Sequence, residues 1–191
     1  ENEFVGVSCG LLDQVSSIFG RKEHAIFLDC RAETVDNVPF PPGVGLLIVH
    51  SGVKHALSGG EYNGRGDDRL GAARILDVAT LRDATSAQLS SADMPDVVRR
   101  RAAHIVGENE RVFEAVEHLR RRDPVAFGKL MSASHLSSIE NFENSTPELD
   151  ALVEICGAQE GVYGARLTGG GFGGAVVALV RTDSIDEIAT T

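Results

Sequence analysis

A chain of 191 residues has room for one domain, or two small ones, with a genuine core. Hydrophobic residues make up 42% and charged residues 24%, an ordinary balance for a soluble protein, while a net charge of −10 argues against a general nucleic-acid surface. No apolar run is long enough to span a membrane and no segment reads as a signal; Cys9, Cys30 and Cys156 show neither CxxC nor metal-ligand spacing, which points to reduced thiols in a cytoplasm.

The chain opens Glu-Asn-Glu-Phe without Met, and is read as part of a longer protein. Residues 10–19 have helical spacing, with Leu11, Leu12, Val15, Ile18 and Phe19 on one face and Gly20 as the stop. Cys9, Asp13, Ser16 and Ser17 form a small polar strip beside that face. Its one carboxylate can line a pocket, or can simply favour the helix dipole in the first turn. Residues 24–30 read as a short strand, 35–43 with Pro39, Pro41 and Pro42 as a loop, and 44–51 as a buried strand. His50 is expected to satisfy a local hydrogen bond. A polar loop from Ser58 to Arg65 leads into a helix over 61–76, with Tyr62 either a packed anchor or a ligand contact and Arg65, Arg69 and Arg74 on a solvated face.

Asp93-Met94-Pro95-Asp96 starts a longer helix. Arg99-Arg100-Arg101 followed by Glu108, Glu110, Glu114 and Glu117 predicts a charged, exposed face; Val98, Ala102, Ile105, Val106, Val112, Val116 and Leu119 predict the buried one. Asp123-Pro124 is a helix start with Asp as N-cap and Pro at the first helical position. Near that helix's end stand Ser132, Ser134, His135, Ser137 and Ser138. No GxSxG elbow accompanies them, so the serines are expected to bond their own backbone. Ser145-Thr146-Pro147-Glu148 begins another helix, with Leu149, Leu152, Val153 and Cys156 buried. Residues 162–167 and 175–180 read as strands, and a short helix begins near Asp183 or Ser184.

The last two strands are joined by Thr168-Gly169-Gly170-Gly171-Phe172-Gly173-Gly174. Glycines adopt positive φ without steric cost, and successive N–H groups in such a turn form a nest that attracts anions. Gly169-x-Gly171-x-x-Gly174 matches a dinucleotide fingerprint literally, but that fingerprint must open a helix, and here a strand follows. No Gly-Lys-Ser/Thr follows either. Spacing alone leaves a phosphate nest and a bare glycine hairpin both open.

Taken together, the motifs resemble those of galactokinases, within the GHMP kinases. They are Cys9-Gly10-Leu11-Leu12-Asp13-Gln14, His24 to Arg31, Gly52 to Leu57 with Glu61-Tyr62-Asn63, Glu108-Asn109-x-Arg111-Val112, Gly128 to His135, Ser145 to Asp150 and Arg166 to Gly174. The resemblance runs through the whole chain in order. It implies an α+β fold of GHMP kinase architecture, with residues 1–43 the tail of an N-terminal lobe and 44–191 a ferredoxin-like C-terminal lobe. It implies ATP-dependent phosphorylation of the anomeric hydroxyl of galactose, with Mg2+, in the cytoplasm, by a monomeric parent without nucleic-acid or membrane partners. Asp13 then matches the catalytic aspartate, as general base or as the group holding the hydroxyl. Gly10, Asp13, Tyr62 and Gly171 match sugar contacts, and Gly169, Gly170, Gly171, Gly173 and Gly174 the loop beside the transferred phosphoryl. No residue is assigned to a metal.

Two departures stand out. Arg65-Gly66-Asp67-Asp68-Arg69-Leu70 replaces the paired arginines and Glu-Cys usual after the tyrosine. The sugar signature and the Gly-Leu-Ser-Ser-Ser ATP loop are absent and belong upstream of Glu1, so the fragment is expected to be inactive and to self-associate through exposed lobe surface. A related kinase for N-acetylgalactosamine or arabinose, and a non-catalytic galactose and ATP sensor, are the alternatives.

Overall fold

In the computed structural model, α1 (Leu12–Phe19) leads into a hairpin of β1 (His24–Asp29) and β2 (Thr34–Pro39). The structure describes residues 10–53 and 60–190, with side-chain detail for 10–53 and 68–190. Strand β3 (Val44–His50) follows, then α2 (Gly60–Ile75), a 3-10 turn at Leu81–Asp83, α3 (Ser86–Ser91), α4 (Asp96–Arg120), α5 (Pro124–Ser137), a π-helical turn at Ser138–Phe142, α6 (Pro147–Gly157), β4 (Val162–Thr168), β5 (Ala175–Arg181) and a closing short helix, α7 (Ile185–Ile188). The fold is α+β, and no helix among the described residues is long and apolar enough to cross a membrane.

β1 and β2 pair antiparallel from His24–Pro39 to Asp29–Thr34. The expected loop over 35–43 is therefore a strand for its first half. Pro39 occupies the last strand position, where a missing N–H costs little. Val38 is buried against Val116 and Leu119 of α4, with Phe27, Phe40 and Phe127 packed around it. Phe27 meets Phe113, and Phe40 meets Phe127, edge to face. At the hairpin tip Asp29 accepts from the N–H groups of Arg31 and Ala32. It also accepts two bonds from Arg82, while Arg31 pairs with Asp83. The tip is thus clamped to the 3-10 turn.

The second sheet has the order β3-β5-β4, all antiparallel. Leu47 and Val49 of β3, Ala165 and Leu167 of β4, and Val176, Ala178 and Val180 of β5 point to one face, covered by Leu149 and Cys156 of α6 and Ile188 of α7. β3 was expected to be buried, but Leu46 and Ile48 on its other face are exposed. An edge strand with one covered face alternates in this way. A separate helical core joins Ala72 and Ala73 of α2, Leu81, Leu89 and Met94 to Ala102 and Val106 of α4.

The helix starts follow their caps. Asp123 accepts from the N–H of Ala126, and Thr146 from that of Leu149, each with Pro at the first helical position. Gly20 does not stop α1 through a left-handed turn: its backbone is extended, and a Cβ there would lie 2.5 Å from the Ser16 carbonyl oxygen. Close approach, not positive φ, is what calls for glycine there.

Candidate functional site

The glycine loop closes the β4–β5 hairpin. Gly169, Gly171, Phe172, Gly173 and Gly174 all take positive φ, from 61° to 124°. For Phe172 that conformation is strained, and other segments hold the loop in place. The Phe172 N–H donates to the Asn144 carbonyl oxygen at 2.6 Å, and Asn144 Nδ2 donates to the Gly170 carbonyl oxygen at 3.1 Å. The Ser51 N–H donates to the Gly174 carbonyl oxygen at 2.8 Å, and the Gly174 N–H reaches the Val53 carbonyl oxygen at 3.4 Å. A side chain at Gly171 would collide with Asn144.

These anchors leave the N–H groups of Gly169, Gly170, Gly171 and Gly173 without an acceptor among the described residues. The loop borders a shallow cavity of about 420 Å³ lined by His50, Val53, Thr168 and the five loop glycines. Its described lining carries no Lys, Arg, Asp or Glu, and the loop presents its backbone dipoles to any anion there. His50 is occupied as expected, its Nδ1 accepting from the Gly52 N–H at 2.9 Å. Unpaired N–H groups of this kind fit phosphate oxygens. No group of three or more His, Cys, Asp or Glu that could hold a metal ion exists among the described residues.

Gly10 and Asp13 stand at the start of α1, both exposed, and neither lines the glycine-loop cavity. Tyr62 lies on α2, where its side chain is outside the described residues, as are Cys9 and residues 54–59. The structure therefore brings the loop glycines together around one cavity.

A second polar centre was not foreseen. The charged run on α4 was expected to face solvent, but Arg101 is 3% exposed, donates to the Asn141 carbonyl oxygen at 2.5 Å and pairs with Glu143. Arg99 caps the carbonyls of Leu89, Ala92 and Met94. Glu108 accepts from Ser134 Oγ at 2.7 Å, Arg111 Nε at 2.5 Å and Arg166 Nη1 at 3.4 Å. Burial alone would raise the Glu108 carboxyl, but Ser134 and the two guanidiniums hold it below the usual range. Ser134 and Ser137 thus bond across to α4 rather than to their own backbone; Ser132 behaves as expected, donating to the Gly128 carbonyl oxygen. Val112, expected inside, is exposed.

Two buried histidines flank this centre. His104 Nδ1 hydrogen-bonds Ser137 Oγ at 2.9 Å and its ring stacks on Phe142. Burial pushes its pKa down to about 4, with Arg111 and Arg166 acting in the same direction and Glu108 opposing. His135 Nδ1 accepts from the Leu167 N–H at 3.3 Å, and Nε2 lies 3.3 Å from Asp150 Oδ1. Burial lowers its pKa as well, against the pull of Asp150. These groups brace α4, α5 and α6 on β4, directly upstream of the glycine loop. Local sequence held one signal for them, the Glu108–Arg111 spacing that places both on one helix side.

Comparison with known proteins agrees with this fold. Residues 115–190 match the family model described as GHMP kinases C terminal. A galactokinase of Actinobacillus pleuropneumoniae serotype 3 is 43% identical over 194 residues, covering 98% of this chain and 50% of that protein. A galactokinase of Haemophilus influenzae is 42% identical with the same coverage. The crystal structure of Lactococcus lactis galactokinase complexed with galactose superposes with a TM-score of 0.92 at 31% identity, over 99% of this chain and 51% of that one. An L. major mevalonate kinase shares the fold, with a TM-score of 0.53 at 22% identity. The chain spans about half the length of the curated relatives it matches.

Proposed function

We infer that this chain, which carries the C-terminal domain of the GHMP kinases, supplies one part of an enzyme that phosphorylates the anomeric hydroxyl of galactose from ATP. The observation that carries the reading is the glycine loop: four backbone N–H groups without acceptors among the described residues, in a turn whose mostly positive-φ backbone is held by anchors from outside the hairpin. Fixed dipoles of this kind stabilise charge developing on phosphoryl oxygens without reorganising. Asp13 would accept the proton of the sugar hydroxyl or hold that hydroxyl in line, and Gly10 and Tyr62 would contact the sugar. Residues 1–43 would belong to the catalytic lobe and 44–191 to the C-terminal lobe, with the remaining sugar and ATP contacts on the half that the relatives possess in addition. ATP would supply the phosphoryl group. Mg2+ would accompany the ATP phosphates.

The test is galactose-dependent ADP formation by two proteins. One is the 191-residue chain. The other is the chain joined to the preceding half of the Actinobacillus galactokinase, with N-acetylgalactosamine and arabinose as competing acceptors. The chain alone is expected to be silent and the joined protein active on galactose. Asp13→Asn in the joined protein should lower kcat by at least 100-fold while the melting temperature holds. Turnover that survives Asp13→Asn would remove Asp13 from the mechanism, and preference for another sugar would reassign the substrate.

A further inference from the structure

The glycine loop does not hold itself. Its Gly170–Phe172 stretch is held by a residue 26 positions upstream of Gly170 in sequence, Asn144, which is 6% exposed. Asn144 grips the loop twice: its main-chain oxygen accepts the Phe172 N–H, and its side-chain Nδ2 donates to the Gly170 oxygen. The two grips lie either side of Gly171, whose lack of a Cβ is what lets the strands of contact close. Asn144 Oδ1 has no donor among the described residues, so the side chain acts on the loop through Nδ2 alone.

Asn144 is itself placed by its neighbour. Glu143 takes a left-handed conformation, φ 51°, at the end of the π-helical turn, and its carboxylate is paired with both Arg100 and Arg101 of α4. Those two pairs hold the Glu143 carboxyl below the usual range. The Asn144 N–H donates to the Ser138 oxygen at 3.2 Å. A rigid helix, a charged clamp and a tight turn therefore end on one amide, which presses on the loop.

We propose that Asn144 is a positioning residue for phosphoryl transfer: its Nδ2 bond to Gly170 orients the N–H groups of Gly169, Gly170 and Gly171 toward the cavity, and the Arg100–Arg101–Glu143 clamp fixes Asn144. This rests on the kinase reading for its catalytic consequence, but the structural half stands without it. Donors that meet charge only in the transition state act on kcat, whereas those that meet the ground state equally act on KM.

The experiment compares Asn144→Ala and Asn144→Asp in two settings. In the 191-residue chain, hydrogen–deuterium exchange of the Phe172 amide, the loop N–H that is bonded to Asn144, should quicken at least tenfold in both variants, while exchange in β5 stays unchanged. In the joined protein, kcat should fall about 10- to 100-fold with less than a threefold change in KM for galactose. Asn144→Asp keeps the shape but replaces the donor with a negative acceptor facing the Gly170 oxygen, so it should be at least as impaired as Asn144→Ala. A space-filling role would leave the Asp variant near wild type and would overturn the proposal. Faster loop exchange with kcat unchanged would overturn it too. If the wild-type joined protein transfers no phosphoryl group, the kinase reading fails, and unchanged exchange in the variants then separately refutes the hold of Asn144 on the loop.

Discussion

Gly128 on α5 and Gly164 on β4 cross backbone against backbone. A Cβ on Gly128 would overlap the Tyr163 carbonyl, and a Cβ on Gly164 would overlap that of Gly128. The β4–β5 register shifts at this point, between Val162 and Gly164, so the bulge and the helix contact coincide. Three residues past Gly164, the Leu167 N–H meets His135 of the same helix; beyond it the glycine loop begins. The angle at which β4 delivers that loop is thus set by two missing side chains.

Gly128→Ala should therefore destabilise the fold by about 2–3 kcal/mol, since a methyl group forced against rigid backbone cannot be absorbed by a rotamer change. Gly157→Ala is the matched control. It lies in the last turn of α6, has no neighbour within 4 Å of a built Cβ and does not take positive φ. That substitution should be neutral, or stabilise by about 0.5 kcal/mol. Urea unfolding with an unchanged slope would measure both, and equal midpoints for the two variants would contradict the packing argument.

The histidines give stability a pH dependence with a definite sign. His104 titrates near 6.5 when unfolded but at about 4 when folded, so the unfolded state binds more protons between those values. Stability is full above 6.5 and falls as pH drops toward 4, by on the order of 3 kcal/mol from His104, with His135 acting in the same direction. The lowered Glu108 carboxyl extends the loss below about 4.5. His104→Gln should flatten the upper part of the curve. A melting temperature that stays level from pH 7 to pH 5 in the wild type would sink this account.

Much of this architecture was legible in local sequence. Asp123-Pro124 and Thr146-Pro147 declared their helices because a cap is satisfied by groups three residues away. The two strands around the glycines were visible as apolar runs. What escaped was set by partners distant in sequence. β2 was hidden by Pro39, and its strand character comes from pairing with β1 and from Val38 sinking against α4. Arg101 looked solvated because nothing local reveals that Glu143, 42 residues on, will neutralise it. Asn144 carried no signal at all until Gly170 was brought beside it.

Glu108 should behave as the hub of its cluster. Ser134→Ala removes one donor and should cost about 1–2 kcal/mol. Glu108→Ala strips the acceptor from Ser134, Arg111 and Arg166 together, leaving two partly buried guanidiniums facing each other, and should cost about 3 kcal/mol or more. The double variant should be less destabilised than the sum of the two, because Ser134 has nothing left to lose once Glu108 is gone. Strict additivity in chemical unfolding would show that the Ser134–Glu108 bond contributes nothing.

The apolar face of α1 makes a prediction about the chain in solution. Its Leu12 is 67% exposed and its Ile18 73%, with Leu11 and Phe19 beside them, although the helix is strongly two-sided in sequence. No residue of α1 is buried. A stripe of this kind is stable in water only against a partner, and the concentration of identical chains supplies one. Sedimentation velocity on the 191-residue chain should show self-association that grows with concentration and persists in 0.5 M salt, as expected of apolar rather than ionic contact. Leu12→Glu with Ile18→Lys should shift the population to monomer without lowering the melting temperature, since neither side chain supports the chain's own core. A monodisperse wild-type monomer at high concentration would mean that α1 finds cover within its own chain, against the exposure seen here.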